Sequence, residues 1–242
     1  MSAPTPVYRR VLLKISGEGF CEPGQMGISK DPLDRVSREI MTVTELGCEV
    51  AVVVGGGNFM RGANFAKDLD IHNATADYMG MLGTVLNALA LQEGLERYGL
   101  VTRVQSALSI SRVCEAFIRR RALRHFEKHR VVILAAGTGN PHVTTDSCAA
   151  LRAAELNCNV LMKATKVEGV YDDDPRKNPS ARLYDRLTYN QVIDGRLKVM
   201  DMSAIDVCQQ HGVPIVVFNL FTPGTMRRIV LGERIGTYVG EG

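Results

Sequence analysis

The stretch AVVVGGGNFMRG, residues 51–62, decides how this chain is read. An apolar, β-branched run ends in three consecutive glycines, then Asn58, with Arg61 close behind. The run reads as a buried strand. Glycine adds nothing to a core and loses the most backbone entropy on folding, so three in a row mark a sharp bend or a close approach. The question is what approaches.

Working outward, strand-like and helix-like segments alternate. VYRRVLLKI (7–15), EVAVVV (49–54), RVVILAA (130–136), NVLMKA (159–164) and PIVVFNL (214–220) read as strands. Residues 31–47, 75–99, 147–156 and 202–212 read as helices. In the first of these, apolar residues recur at helical spacing, Asp31 is the expected N-cap, Pro32 the first helical residue and Gly47 the stop. Short apolar strands separated by helices predict an α/β fold, doubly wound, with a mostly parallel central sheet and helices on both faces. Neither a repeat nor a linker interrupts the chain, so residues 1–242 read as a single domain with two lobes, about 1–150 and 151–242.

Ligands in such folds bind beyond the carboxyl ends of the strands. The chemically unusual residues fall there: KISGEG (14–19), GGGNFMRG (55–62), GTGNPHVTTD (137–146) and KATKVEGVYDDDP (163–175). Gly-rich turns leading into helices present backbone N–H groups to anions. Two such turns with Lys14 and Arg61 suggest bound phosphates. The chain lacks GxxxxGK[ST], GxGxxG and the protein-kinase motifs, so the phosphates are held in another way. Phosphoryl transfer asks mainly for positioning and charge neutralisation. Lys14, Arg61, Lys163 and Lys166 can supply positive charge, against Asp146, Asp174 and Asp201. Asp146 and Asp201 also stand where helix N-caps would.

Composition narrows the classes. The 242 residues are 45% hydrophobic and 23% charged, an ordinary globular balance. A net charge of +3 with no Trp argues against a nucleic-acid partner. No apolar run is long enough for a membrane span, and residues 1–6 carry no export signal, so the expected location is cytoplasmic. Six cysteines without CxxC or paired His spacing read as reduced thiols.

Taken together, LLKISGE (12–18), VVVGGGNFMRG (52–62), DYMGML (77–82), AGTGNPHVTTDS (136–147), KATKVEGVYDDDP (163–175), LKVMD (197–201) and GERIGTYV (232–239) resemble the bacterial UMP kinases of the amino acid kinase superfamily, over nearly the whole chain. The resemblance implies transfer of the ATP γ-phosphoryl group to UMP with Mg²⁺ held mainly by the nucleotide phosphates. It implies that Lys14, Ile15, Ser16 and Gly17 form the ATP-phosphate loop, with Gly57 and Arg61 on the ATP side and Thr165, Tyr171 and Asp174 on its adenosine side. Gly56, Asp77 and the loop Thr138, Gly139, Asn140, Pro141, His142, Val143, Thr144 and Thr145 match UMP contacts, Asp77 at the ribose. Lys14, Arg61, Asp146, Lys163 and Asp201 match the catalytic group, the two aspartates positioning lysines or metal. Arg103 and Arg130 match basic positions of a GTP-activator site, UTP is implied as an inhibitor, and a homohexamer of dimers is implied, suited to the broadly apolar helix 75–98. The competing readings are a carboxylate kinase of the acetylglutamate type and a nucleotide sensor on the same fold. A nucleic-acid regulator rests only on the basic run 119–130.

Overall fold

The computed structural model describes residues 5–60 and 70–241. Among them, nine strands form one sheet in the order β4-β3-β5-β2-β1-β6-β8-β9-β7. The strands are β1 (Arg10–Ile15), β2 (Glu49–Val54), β3 (Thr102–Ser106), β4 (Glu115–Ala116), β5 (Val131–Ala135), β6 (Val160–Thr165), β7 (Arg186–Thr188), β8 (Ile215–Asn219) and β9 (Thr237–Gly240). Every pairing is parallel except β8 with β9. The helices are α1 (Lys30–Thr44), α2 (Asn73–Glu96), α3 (Arg119–Phe126), α4 (Thr145–Glu155), α5 (Tyr189–Asp194), α6 (Met202–Gln210) and α7 (Thr225–Val230).

Side chains alternate across a strand, so each strand feeds two cores. Val11, Leu13 and Ile15 of β1, with Val50, Val52 and Val54 of β2, pack against α1, α2 and α7. Leu12, Ala51, Val53 and Leu161 face the other way, against α3, α4, α5 and α6. Both faces of the central strands are therefore buried, which is why they read as continuous apolar runs.

The five strands and four helices read from sequence are present, with ends that match or shift by at most three residues. One cap differs. Ser29, not Asp31, holds the extended backbone before α1, and Asp31 lies in the first turn, where its charge meets the positive end of the helix. Pro32 consequently sits third, still among positions whose N–H lacks an intrahelical partner. The strands missed by periodicity are short or polar. β3 buries Thr102, Gln105 and Ser106, and β4 has two residues.

Candidate active site

β5, β2, β1 and β6 are consecutive and parallel, so their carboxyl ends open on one edge of the sheet. Lys14 and Lys163 are register partners on β1 and β6. Alternation places them on the face covered by α4, one residue pair beyond Leu12 and Leu161. Asp146, in the first turn of α4, meets both. Its Oδ1 forms an ion pair with Lys14 Nζ at 2.6 Å. Its Oδ2 accepts a 2.7 Å hydrogen bond from Lys163 Nζ, which also donates to the Val199 carbonyl at 2.6 Å.

The three groups are largely buried, so their charges act at short range in a poorly screened place. Burial works to raise the Asp146 pKa, but the Lys14 and Lys163 ammoniums outweigh it and hold the carboxyl below its ordinary value. For Lys163, burial dominates and lowers the pKa, against the attraction of Asp146. Two ammoniums share the Asp146 carboxylate, and Asp201 adds a further negative charge that acts on Lys163.

The glycine turn after β2 is packed from two sides. A Cβ on Gly17 would collide with Asn58 Oδ1 and the Gly57 nitrogen, so the turn after β1 and the turn after β2 touch through backbone. A Cβ on Gly56 would strike the Gly80 carbonyl of α2, and one on Gly55 would come 2.8 Å from the Gly17 nitrogen. Among the described residues, a Cβ on Gly57 would meet nothing within 4 Å. Crowding at Gly55 and Gly56 thus comes from neighbouring protein backbone, and of the three only Gly57 borders space that the described residues leave open. Arg61 lies outside the described residues.

The turn after β5 carries the segment that the sequence assigns to the acceptor. Gly137, Gly139 and His142 have φ of 57°, 82° and 64°. Asn140 N–H donates to Thr138 Oγ1 at 3.3 Å, and Pro141, Val143 and Thr145 follow on the rim, with Val143 exposed. Asp77, near the start of α2, accepts the His142 N–H at 2.8 Å. Thr144 is the N-cap of α4, its hydroxyl oxygen accepting from Ser147 N–H at 3.2 Å. Asp146 is therefore not the cap. Asp201 occupies the N-cap position of α6 but makes no side-chain cap bond; it accepts the Thr144 hydroxyl instead.

On the other side of β1, Ser16 and Gly17 open a short 3₁₀ turn, Gly17–Phe20. Glu18 in that turn pairs with Lys166 Nζ at 2.9 Å, linking it to the segment after β6. Ile15 is buried beneath. Thr165 ends β6 with its hydroxyl 2.6 Å from the Val167 carbonyl. Tyr171 bridges to Leu183, and Asp174 Oδ1 caps the Arg176 N–H at 3.0 Å, so both belong to the loop that leaves β6. Arg103 and Arg130 are not brought into one cavity. Arg103 lines a cavity of about 540 Å³ with Gln92, Ser111, Arg112, Glu115 and Arg121. Arg130 places Nη1 3.4 Å from His125 Nδ1 and lines a separate one beside Phe126.

Sequence reading missed the polar residues beneath the turns. Asn58 and Asn87 are fully buried and exchange hydrogen bonds of 2.9 and 2.7 Å. Ser147 and Ser203 pair their hydroxyls at 2.8 Å between α4 and α6. The one signal for them is a polar residue on an otherwise apolar helical face, as at Thr84 and Asn87.

The amino acid kinase family signature matches residues 9–219. A uridylate kinase of Paramagnetospirillum magneticum is 54% identical over 234 residues, covering 97% of each chain. The chloroplastic uridylate kinase PUMPKIN of Arabidopsis thaliana is 53% identical over 99% of this chain and 70% of its own. The fold superposes on the crystal structure of a UMP kinase from Bacillus anthracis with TM-score 0.94 at 37% identity, covering 97% of this chain and 96% of that one. For a UMP kinase from Ureaplasma parvum the TM-score is 0.90 at 34% identity, over 96% and 99%. A doubly wound, mostly parallel sheet, a signature spanning most of its strands and relatives matched along nearly their whole length agree: the chain belongs to the amino acid kinase family, among its uridylate kinases.

Proposed function

We propose that the chain transfers the γ-phosphoryl group of ATP to UMP, giving UDP and ADP for pyrimidine nucleotide synthesis. The observation that carries this is the pair of ammoniums, Lys14 and Lys163, held on Asp146 between the KISG turn and the TGNPHVTT loop. A UMP phosphate oxygen attacks the γ-phosphorus from the side of the 138–145 loop. The bond to the β–γ bridging oxygen breaks, and charge shifts onto ADP beside Lys14. Fixed cations aimed at shifting charge lower the barrier without reorganising during the reaction. The KISG turn, Gly57, Arg61, Thr165, Tyr171 and Asp174 are assigned to ATP. Gly56, Asp77 and residues 138–145 are assigned to UMP.

Mg²⁺, when carried in on the nucleotide, would supply charge neutralisation at the triphosphate. The carboxylates at the strand ends are already engaged, Asp146 by two lysines and Asp201 by Thr144, which suits an ion carried on the phosphates. The six cysteines are free, and burial pushes Cys158 and Cys208 up to about 12, so a cytoplasm that keeps thiols reduced suits the protein. GTP is assigned as activator between subunits, since Arg103 and Arg130 line separate cavities within one chain, and UTP as inhibitor at the UMP site. The assembly is assigned as a homohexamer of dimers through α2, whose Tyr78, Leu82 and Leu86 are 44%, 49% and 50% exposed at helical spacing.

A carboxylate kinase is disfavoured by Asp77, because an acid repels an anionic acceptor where a ribose would accept it as partner. A coupled assay with ATP against UMP, CMP, dUMP, dCMP and acetylglutamate separates the readings. UMP is expected to be the best acceptor, dUMP weaker for want of one hydroxyl to Asp77, and Asp77→Ala to raise KM for UMP more than for ATP. Turnover of the carboxylate in preference to UMP would overturn the assignment.

A further inference from the structure

Helix α2 carries three polar side chains along one face, Asp77, Thr84 and Asn87; the first two reach the turn after β5 and the third reaches the glycine turn after β2. Asp77 takes the His142 N–H. Thr84 Oγ1 donates to the Met81 carbonyl at 2.6 Å and accepts the Ala136 N–H at 2.6 Å. Asn87 Nδ2 donates to the Gly55 carbonyl at 2.7 Å, and the Asn58–Asn87 pair passes on to the Gly27 carbonyl, 2.7 Å from Asn58 Nδ2. Thr84, Asn87 and Asn58 are buried. Around them Gly56, Gly80 and Gly83 bring the helix and the glycine turn into backbone contact.

The turn that Thr84 holds is a costly one. Ala136 has φ of 62° and Gly137 follows at 57°. An alanine stays in the left-handed region only where its surroundings fix it. The Thr84 hydroxyl fixes the N–H of that residue, two positions before the loop assigned to UMP. Asn87 fixes the carbonyl of Gly55, on the floor between the two substrates. One rigid helix thus sets the offset between the acceptor loop and the glycine turn, and transfer needs reacting atoms placed to within a fraction of an ångström.

We propose that Thr84 and Asn87 are positioning residues for transfer, Thr84 acting on the acceptor loop through Ala136 and Asn87 on the glycine turn through Gly55. This rests on the phosphotransfer reading above, and its test includes an arm that does not. Thr84→Val keeps shape and removes the hydroxyl; Thr84→Ser restores it. Thr84→Val is expected to raise KM for UMP roughly 5- to 50-fold, from an orphaned buried N–H, with KM for ATP within about twofold. Thr84→Ser is expected to stay near wild type. Asn87→Ala is expected to lower kcat more than it raises either KM.

Amide hydrogen exchange on the same proteins, without substrates, should quicken across 136–145 in Thr84→Val and leave 10–17 unchanged. Wild-type kinetics in Thr84→Val, or an equal loss in Thr84→Val and Thr84→Ser, would overturn the proposal while the kinase assignment stands. Exchange that rises evenly over the chain would also overturn it, reducing the hydroxyl to a general contributor to stability. If the wild type does not phosphorylate UMP, the assignment fails and the exchange arm alone decides the positioning claim.

Discussion

Asp146 holds two ammoniums with one carboxylate, and its ionisation is what keeps them together. Burial would raise its pKa, yet Lys14 and Lys163 hold it below the ordinary carboxylate value. Its stabilising contribution is therefore present above the pKa of the unfolded carboxylate and is lost as pH falls through the lowered folded value. Asp146→Asn leaves two buried cations facing each other. We expect a loss of about 3–5 kcal/mol near neutral pH, the usual cost of breaking a buried pair from one side. The gap in melting temperature between variant and wild type should narrow as pH drops, because the wild type then loses the same charge. Thermal denaturation across pH checks this, and a gap that widens toward acid contradicts it. At this scale the sequence shows Lys14 plainly, since a lysine one residue from a strand end before Ser-Gly has few other uses. It leaves Asp146 and Asp201 open between capping and ion pairing. Only tertiary structure decides that, by giving the cap to Thr144 and by bringing β1 and β6 to the same carboxylate.

The elements translate these residues into a site through two periodicities. Period two on β1 and β6 puts Lys14 and Lys163 on the α4 face. The helical period on α2 puts its polar residues under the turns and its exposed apolar ones outside. Both periods are legible in the sequence for long apolar elements. β3 was illegible because its buried positions include Thr102, Gln105 and Ser106, and β7 and β9 because three- or four-residue strands carry no period. The glycines were legible as a close approach but not as to what approaches. Gly56→Ala should lower the melting temperature, because its Cβ meets the Gly80 carbonyl of α2 and backbone cannot yield cheaply. Gly57→Ala, facing open space, should melt like the wild type, so that any loss it causes falls on activity. Paired melting curves and turnover measurements test the distinction. Equal destabilisation of the two variants would refute it.

In the whole molecule, β1 lies at the middle of the sheet, with β2, β5, β3 and β4 on one side and β6, β8, β9 and β7 on the other. Residues assigned to UMP come from one side and those assigned to adenosine from the other, with Lys14 between them. This order was only partly legible. Alternation of strands and helices predicts a parallel sheet, but β9 runs antiparallel to β8, the strand just before it, and parallel to the more distant β7, and its four residues carry no pattern that gives this direction. The exposed apolar side chains of α2 are where we place the proposed assembly. If the chain assembles there, Leu82→Glu combined with Leu86→Glu is expected to lower the mass of the species in solution with the fold intact, as read by light scattering and circular dichroism; an unchanged mass would remove α2 from the proposed interface. The central claim is that charge shifting at the strand ends is stabilised by the lysines on Asp146. Its most direct test is the single-turnover rate of phosphoryl transfer from saturating ATP to saturating UMP in wild type and Lys14→Ala. Transfer is expected in the wild type, with a fall of about 10²–10³ in the variant and UMP affinity changed far less. A Lys14→Ala enzyme that turns over at close to the wild-type rate would contradict it.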